Sequence, residues 1–213
     1  KLPCPWGADT TTALDSLTNL LADSRELAGQ SAEIMLDCWA VQSVEHAILI
    51  GETVRDFNVG WIEDMIYPED WDGYSRVRSA LPEERLAAGE RWYTDLPFLR
   101  AIECGWVDVL QPDALWVGGV TPCQRIADAA AQAGYGLAIH CGANDSFGQH
   151  LAVALNGNLW AEMYIGSPRG SSLMNSWRAT PGMELPVNGM LRPNDAPGFG
   201  IELSMADIER ATA

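Results

Sequence analysis

Positive charge is scarce in this chain. Lys1 is its one lysine, twelve arginines accompany it, and 29 acidic residues leave a formal net charge of −16. So acidic a surface repels phosphate backbones and anionic bilayers, which excludes nucleic acid and membrane surfaces as expected partners. Long hydrophobic runs are missing too, since none approaches the ~20 residues of a spanning helix. The five cysteines (Cys4, Cys38, Cys104, Cys123 and Cys141) are odd in number and show no CxxC spacing. That disfavours a disulfide framework or a four-cysteine zinc site and suits reduced thiols in a cytoplasmic protein. No signal peptide is visible, and the first residue is Lys rather than Met, so the natural start is expected upstream. What remains, 213 residues of which 47% are apolar, suffices for a sizeable soluble core.

Within that ordinary composition one pattern repeats. Six short apolar runs each end on an ionisable residue: Asp37 in IMLDCW, Glu63 in GWIEDM, Glu90 in AAGERW, Asp113 in LQPDAL, His140 in LAIHCG and Glu162 in LWAEMY. The steps between them are 26, 27, 23, 27 and 22 residues, the length of one strand, one helix and two loops. Runs near 33–38, 59–64, 85–90, 107–112, 136–140 and 159–165 read as strands buried on both faces, because they are apolar almost throughout rather than alternating. The intervening segments read as helices. Thr10 to Leu27 carries leucines at helical spacing and stops at Gly29, Ser43 caps a helix running to about Phe57, and Asp95 introduces one over Leu96 to Cys104. Thr121 and Pro122 read as the N-cap and first residue of a helix stopped by Gly134.

Strand and helix alternating at this period imply parallel strands with right-handed crossovers, an α/β fold of the (β/α)8 TIM-barrel type with its chemistry at the C-terminal strand ends. Only about six units are countable, and Lys1-Leu2-Pro3 reads as the end of an earlier strand. The barrel is therefore expected to be incomplete at the N-terminus, part of a larger protein. Residues 1–177 form the barrel portion and 178–213 a tail of different character, with Asn188-Gly189 in PVNGML as a tight turn between short strands.

Three carboxylates on successive strand ends (Asp37, Glu63, Glu90) suit Mg²⁺, with water and substrate oxygens completing its octahedron. Asp113 beside His140 would orient the ring, fix its tautomer and make it a general base. A dication facing such a base suits removal of a proton α to a carboxylate, with negative charge developing as an enediolate. Glu162, if protonated, could hydrogen-bond that intermediate.

From Lys1 to about Leu203 the chain resembles the enolase superfamily, in its mandelate racemase/muconate lactonizing enzyme-like branch, and most closely the acid-sugar dehydratases of the rhamnonate dehydratase type. The resemblance rests on MLDCW, WIED, GER, QPD and IHC in order, with WVGGVT and the closing PVNG and PGFGIEL. It implies Mg²⁺ on Asp37, Glu63 and Glu90, His140 with Asp113 as base, and Glu162 supporting the enediolate. Loss of the β-hydroxyl would then give a 2-keto-3-deoxy acid from an aldonate. It also implies a separate capping domain outside this chain and a homo-oligomeric full-length protein. Lys1 falls where the superfamily often places a lysine that binds the substrate carboxylate or acts as a second base. Arg91, where such dehydratases usually carry His, and Cys141 to Asn144, where they carry Gly-Ser-Ser, depart from the pattern at substrate-facing positions and leave the sugar acid open.

Other readings stand beside this one. A racemase, epimerase or cycloisomerase shares the chemistry but needs a second base. A glycoside hydrolase would use Glu63 and Glu90 and leave Asp37, Asp113 and His140 without roles. A fragment lacking two strands and the cap would turn over little. His46 and His150 read as helix residues without a ligand role, and Cys38 and Cys141 as small apolar packing groups. Asn144, Asp145 and Gln149 are candidate substrate contacts, Trp39 and Trp61 candidate pocket walls, and Arg169 a candidate carboxylate partner.

Overall fold

The computed structural model describes residues 1–5, 9–40, 43–164 and 181–212. Arg169 and the 177/178 boundary lie outside them, as does the end of the run read over 159–165. The chain divides into two compact units, Lys1–Trp92 with Leu96–Leu110, and Tyr93–Asp95 with Gln111–Ala213.

The first unit is a parallel sheet in sequence order: β1 (Leu2–Pro3), β2 (Ile34–Asp37), β3 (Val59–Glu63), β4 (Leu86–Ala88) and β5 (Val109–Leu110). Helices α1 (Thr10–Ala28), α2 (Val44–Val54), α3 (Trp71–Ala80) and α4 (Leu96–Cys104) connect the strands. The strand expected to end at Lys1-Leu2-Pro3 is therefore β1, pairing Leu2 with Leu36 and Pro3 with Asp37. Asp9 caps α1 through the Thr12 amide and Gly29 closes it at φ 78°, while Ser43 caps α2 through the His46 amide. Leu17, Leu21, Leu36, Ile50, Ile62, Leu81 and Phe98 are fully buried between the helices and the strands. Each has left water almost completely, which contributes about 1.5–3 kcal/mol per side chain.

The second unit holds α5 (Ala114–Val117), α6 (Val120–Ala133), β6 (Gly136–Ile139), α7 (Ser146–Ala154), β7 (Asn158–Ala161) and a last helix, α8 (Met205–Thr212). Strands β6 and β7 pair in parallel. Gly134 ends α6 as expected, but the helix begins at Val120, with Gly119 as N-cap at φ 100°, rather than at Thr121-Pro122. The Gly118-Gly119 pair, both at positive φ, turns the chain one residue early, and Pro122 is accommodated within the first turn, where no amide is needed. Val187 and Met190 form an antiparallel bridge around Asn188 (φ 53°) and Gly189 (φ 76°), the two left-handed residues of a hairpin turn. Among the described residues no helix is long and apolar enough to cross a membrane.

Candidate functional site

The parallel register places Asp37 directly beside Glu63 at the ends of β2 and β3. Glu90 follows β4 just past Gly89, whose φ of 136° turns the chain as the strand ends. One carboxylate oxygen from each of these three residues lies within 4.8 Å of the other two. Glu63 is fully buried and Glu90 nearly so. Among the described residues Lys1 and Arg91 border them. The Lys1 Nζ lies 2.5 Å from Glu63 Oε1 and 3.4 Å from Asp37 Oδ2, and Arg91 pairs with Glu90 Oε1 at 2.6 Å and with Asp64. The Trp61 indole N–H donates to Glu63 Oε2 at 2.9 Å, so both oxygens of that carboxylate are oriented.

Asp64 belongs to this cluster, although alternation along a strand would send it to the face opposite Glu63. Its left-handed backbone (φ 48°) breaks the alternation, and its carboxyl meets Arg91 instead. Burial, reinforced by Glu90 and Glu63 and opposed by Arg91, pushes Asp64 up to about 8. Burial likewise raises Asp37, with Lys1 pulling it down and Glu90 pushing it up. Three hard oxygen donors converging there fit Mg²⁺, a hard cation that takes oxygen ligands and fills the rest of its octahedron with water and substrate oxygens.

In the second unit Asp113 does two jobs. Its Oδ1 caps α5, accepting from the amides of Leu115 (2.8 Å) and Trp116 (3.2 Å), and its Oδ2 lies 2.9 Å from His140 Nδ1. Burial raises this carboxyl, but the bonds to His140, Leu115 and Trp116 outweigh it and the net shift is downward. An ionised Asp113 places the ring proton on Nδ1, so Nε2 is the basic nitrogen. Nε2 lies 3.9 Å from Glu162 Oε2 and 3.6 Å from Cys141 Sγ. Glu162 is fixed from behind, its Oε2 accepting from the Cys141 amide at 3.0 Å and its carbonyl from the Ala143 amide at 2.8 Å.

The six strand-end residues thus gather as Asp37–Glu63–Glu90 and as Asp113–His140–Glu162. Lys1 joins the first group. The candidate substrate contacts are otherwise engaged. Gln149 is buried and holds the Ala143 and Glu184 carbonyls and the Glu184 amide; Asn144 bonds the Tyr164 backbone twice, and Asp145 caps α7. A buried amide binding backbone at both ends serves the fold. Trp39 is 61% exposed, whereas Trp61 is buried against Glu63. Cys38 packs as a buried apolar group, and His150 lies edge-on to Phe199. The Asp64–Arg91 pair was not foreseen; a second acid after Glu63 and a cation after Glu90 were its only traces.

The model of the enolase C-terminal domain-like family matches residues 7–208. The chain belongs to that family. Its strand–helix repeat is that of the α/β, TIM-type barrel, with seven strands among the described residues against eight in a complete barrel. A protein of Caldivirga maquilingensis named "Putative L-rhamnonate dehydratase" is 31% identical over 206 residues, 96% of this chain and 51% of that protein. The crystal structure of L-rhamnonate dehydratase from Gibberella zeae is 26% identical with a TM-score of 0.79, covering 93% of this chain and 51% of that one. A second structure of the Gibberella zeae enzyme, complexed with Mg, is 25% identical with a TM-score of 0.78, over 93% and 49% of the two chains. L-talarate/galactarate dehydratase from Salmonella typhimurium LT2 is 26% identical with a TM-score of 0.71, over 92% and 46%. This chain spans about half the length of these relatives.

Proposed function

We propose that this chain is the barrel portion of a Mg²⁺-dependent acid-sugar dehydratase, a hydro-lyase acting on an aldonate. The observation that carries the reading is the pair of convergent groups: three carboxylate oxygens within 4.8 Å of one another, and a His140–Asp113 pair at 2.9 Å. The names of its relatives, dehydratases of sugar acids, support the substrate class.

Asp37, Glu63 and Glu90 would hold the ion. Bound there, Mg²⁺ would offset the negative charge that builds on the substrate carboxylate as the α-proton leaves. His140 Nε2 takes that proton, and Asp113 stabilises the imidazolium and keeps the ring in place. Glu162 would support the enediolate by hydrogen bonding at the oxygen on which charge accumulates. The electron pair of the broken C–H bond forms a C=C bond and expels the β-hydroxyl, which leaves as water with a proton returned by His140. The resulting enol becomes the 2-keto-3-deoxy acid. Lys1, paired with Glu63 and Asp37, tempers the triad's charge and is the group at hand to bind the substrate carboxylate or to act as a second base. The reading includes a cytoplasmic protein, where thiols stay reduced, and a homo-oligomeric full-length chain.

The test is proton exchange. A panel of aldonates is incubated in D₂O with the chain and Mg²⁺, with His140→Ala and EDTA as controls, and followed by NMR. Deuterium at the α-carbon, or a 2-keto-3-deoxy product, that requires both Mg²⁺ and His140 is the expected result. Folded, Mg²⁺-saturated protein that leaves every aldonate at its spontaneous exchange rate would refute the reading.

A further inference from the structure

A second ligand set sits at His140, and it contains sulfur. One atom each from His140, Cys141 and Glu162 lies within 4.8 Å of the other two. Adjacent residues leaving a strand normally point to opposite faces. Cys141 does not, because its backbone is left-handed (φ 49°) inside the turn that closes Gly142 onto the Ile139 carbonyl and Asn144 onto its own. A non-glycine residue held there stores strain, and such strain gathers at functional positions. Here it turns Sγ toward the imidazole.

We propose that His140 Nε2, Cys141 Sγ and Glu162 form a binding site for a thiophilic divalent cation of the Zn²⁺ class, separate from the all-oxygen triad. The distances fit. Zn–S of about 2.3 Å and Zn–N of about 2.0–2.1 Å put tetrahedral S and N ligands about 3.6 Å apart, and Sγ and Nε2 are 3.6 Å apart. Glu162 Oε2 is 3.9 Å from Nε2, about 0.5 Å beyond the tetrahedral N–O edge. A small rotation of its carboxylate, 19% exposed, closes that gap. The support behind the histidine is also that of a metal ligand. Asp113 accepts from Nδ1 at 2.9 Å, which fixes Nε2 as the coordinating nitrogen and raises its basicity. Three protein ligands leave a fourth position for water, as at sites that exchange their ligands.

Binding displaces the thiol proton to solvent and occupies the Nε2 lone pair. If His140 is the base proposed above, the same cation blocks proton transfer; that consequence rests on the dehydratase reading, whereas binding does not. Hard Mg²⁺ avoids thiolate and softer cations seek it, so the two sites sort their ions by ligand type.

The experiment titrates Co²⁺, a coloured stand-in for Zn²⁺, into the Cys104→Ser chain in excess Mg²⁺, which removes the one exposed thiol as background. A sulfur-to-cobalt charge-transfer band at one equivalent is expected, with displacement by Zn²⁺. The band should vanish in Cys141→Ala, and Co²⁺ affinity should fall about 10–100-fold in Asp113→Asn, which keeps the helix cap but loses the charge behind the imidazole. No band in folded protein, or a band that survives Cys141→Ala, overturns the site. A thiolate band with unaltered affinity in both Asp113→Asn and His140→Ala overturns the role of the histidine. Failure of aldonate exchange alone, with the band present, strikes the dehydratase reading and leaves this site standing.

Discussion

Asp64→Asn should flatten the pH dependence of stability in metal-free protein. Asp64 is 3% exposed, and burial with the neighbouring carboxylates lifts it from 3.8 to about 8. An acid whose folded pKa is raised keeps its proton in the native state where the unfolded chain has released it. Stability is therefore lost as pH rises from about 4 through about 8. A shift of about four units sets a ceiling near 5 kcal/mol, and one proton limits the slope to about 1.4 kcal/mol per pH unit. Asparagine tolerates the φ of 48°, and Arg91 keeps Glu90 as a partner at 2.6 Å, so the substitution removes the titration with little else. Urea unfolding of both proteins in EDTA from pH 5 to pH 8 measures the difference. The natural chain should lose about 2–4 kcal/mol more than the variant over that range. Mg²⁺ on the triad reverses the local field, lowers the Asp64 pKa and should bring the two profiles together. Parallel profiles in EDTA would refute this account of the charge around the triad.

Three further outcomes follow from the packing. Glu63→Gln removes one of three charged oxygen donors, and Mg²⁺ affinity by calorimetry should fall at least about ten-fold, since cation affinity follows ligand charge. Arg25, 7% exposed, donates to the carbonyls of Phe57, Gly29, Ala32 and Asn58. Charged hydrogen bonds contribute about 1.5–3 kcal/mol each and are not additive, so Arg25→Ala should cost about 3 kcal/mol in urea unfolding; a cost below about 1 kcal/mol would mean water replaces the guanidinium. Gly51→Ala would drive a Cβ into the side chain of Leu81, which is fully buried. Overpacking there should cost about 1–3 kcal/mol, seen as a lower unfolding midpoint.

The spacing of six ionisable residues was legible because a βα unit has a fixed length, so one polar residue per strand end repeats at that length. It put Asp37, Glu63 and Glu90 on successive ends, and the sheet register then made Asp37 and Glu63 neighbours. The capping residue Ser43, the stops at Gly29 and Gly134, and the Asn188-Gly189 turn were legible for the same reason: each is local chemistry with one favourable backbone solution. The extra strand at Leu2–Pro3 was traceable only as an ending, because two residues carry no periodicity.

The sequence by itself determined the βα repeat, the acidic character and the identity of both polar groups. Tertiary structure alone decided the engagement of each side chain. Gln149 and Asn144 became backbone supports, and Lys1 settled against Glu63 and Asp37. Asp64 and Cys141 departed from strand alternation because each adopts a left-handed backbone that no neighbouring residue announces. Alternation is a property of extended chain, and it ends where the strand ends. The residues next to the strand-end ligands are therefore the ones whose direction depends on the folded loop.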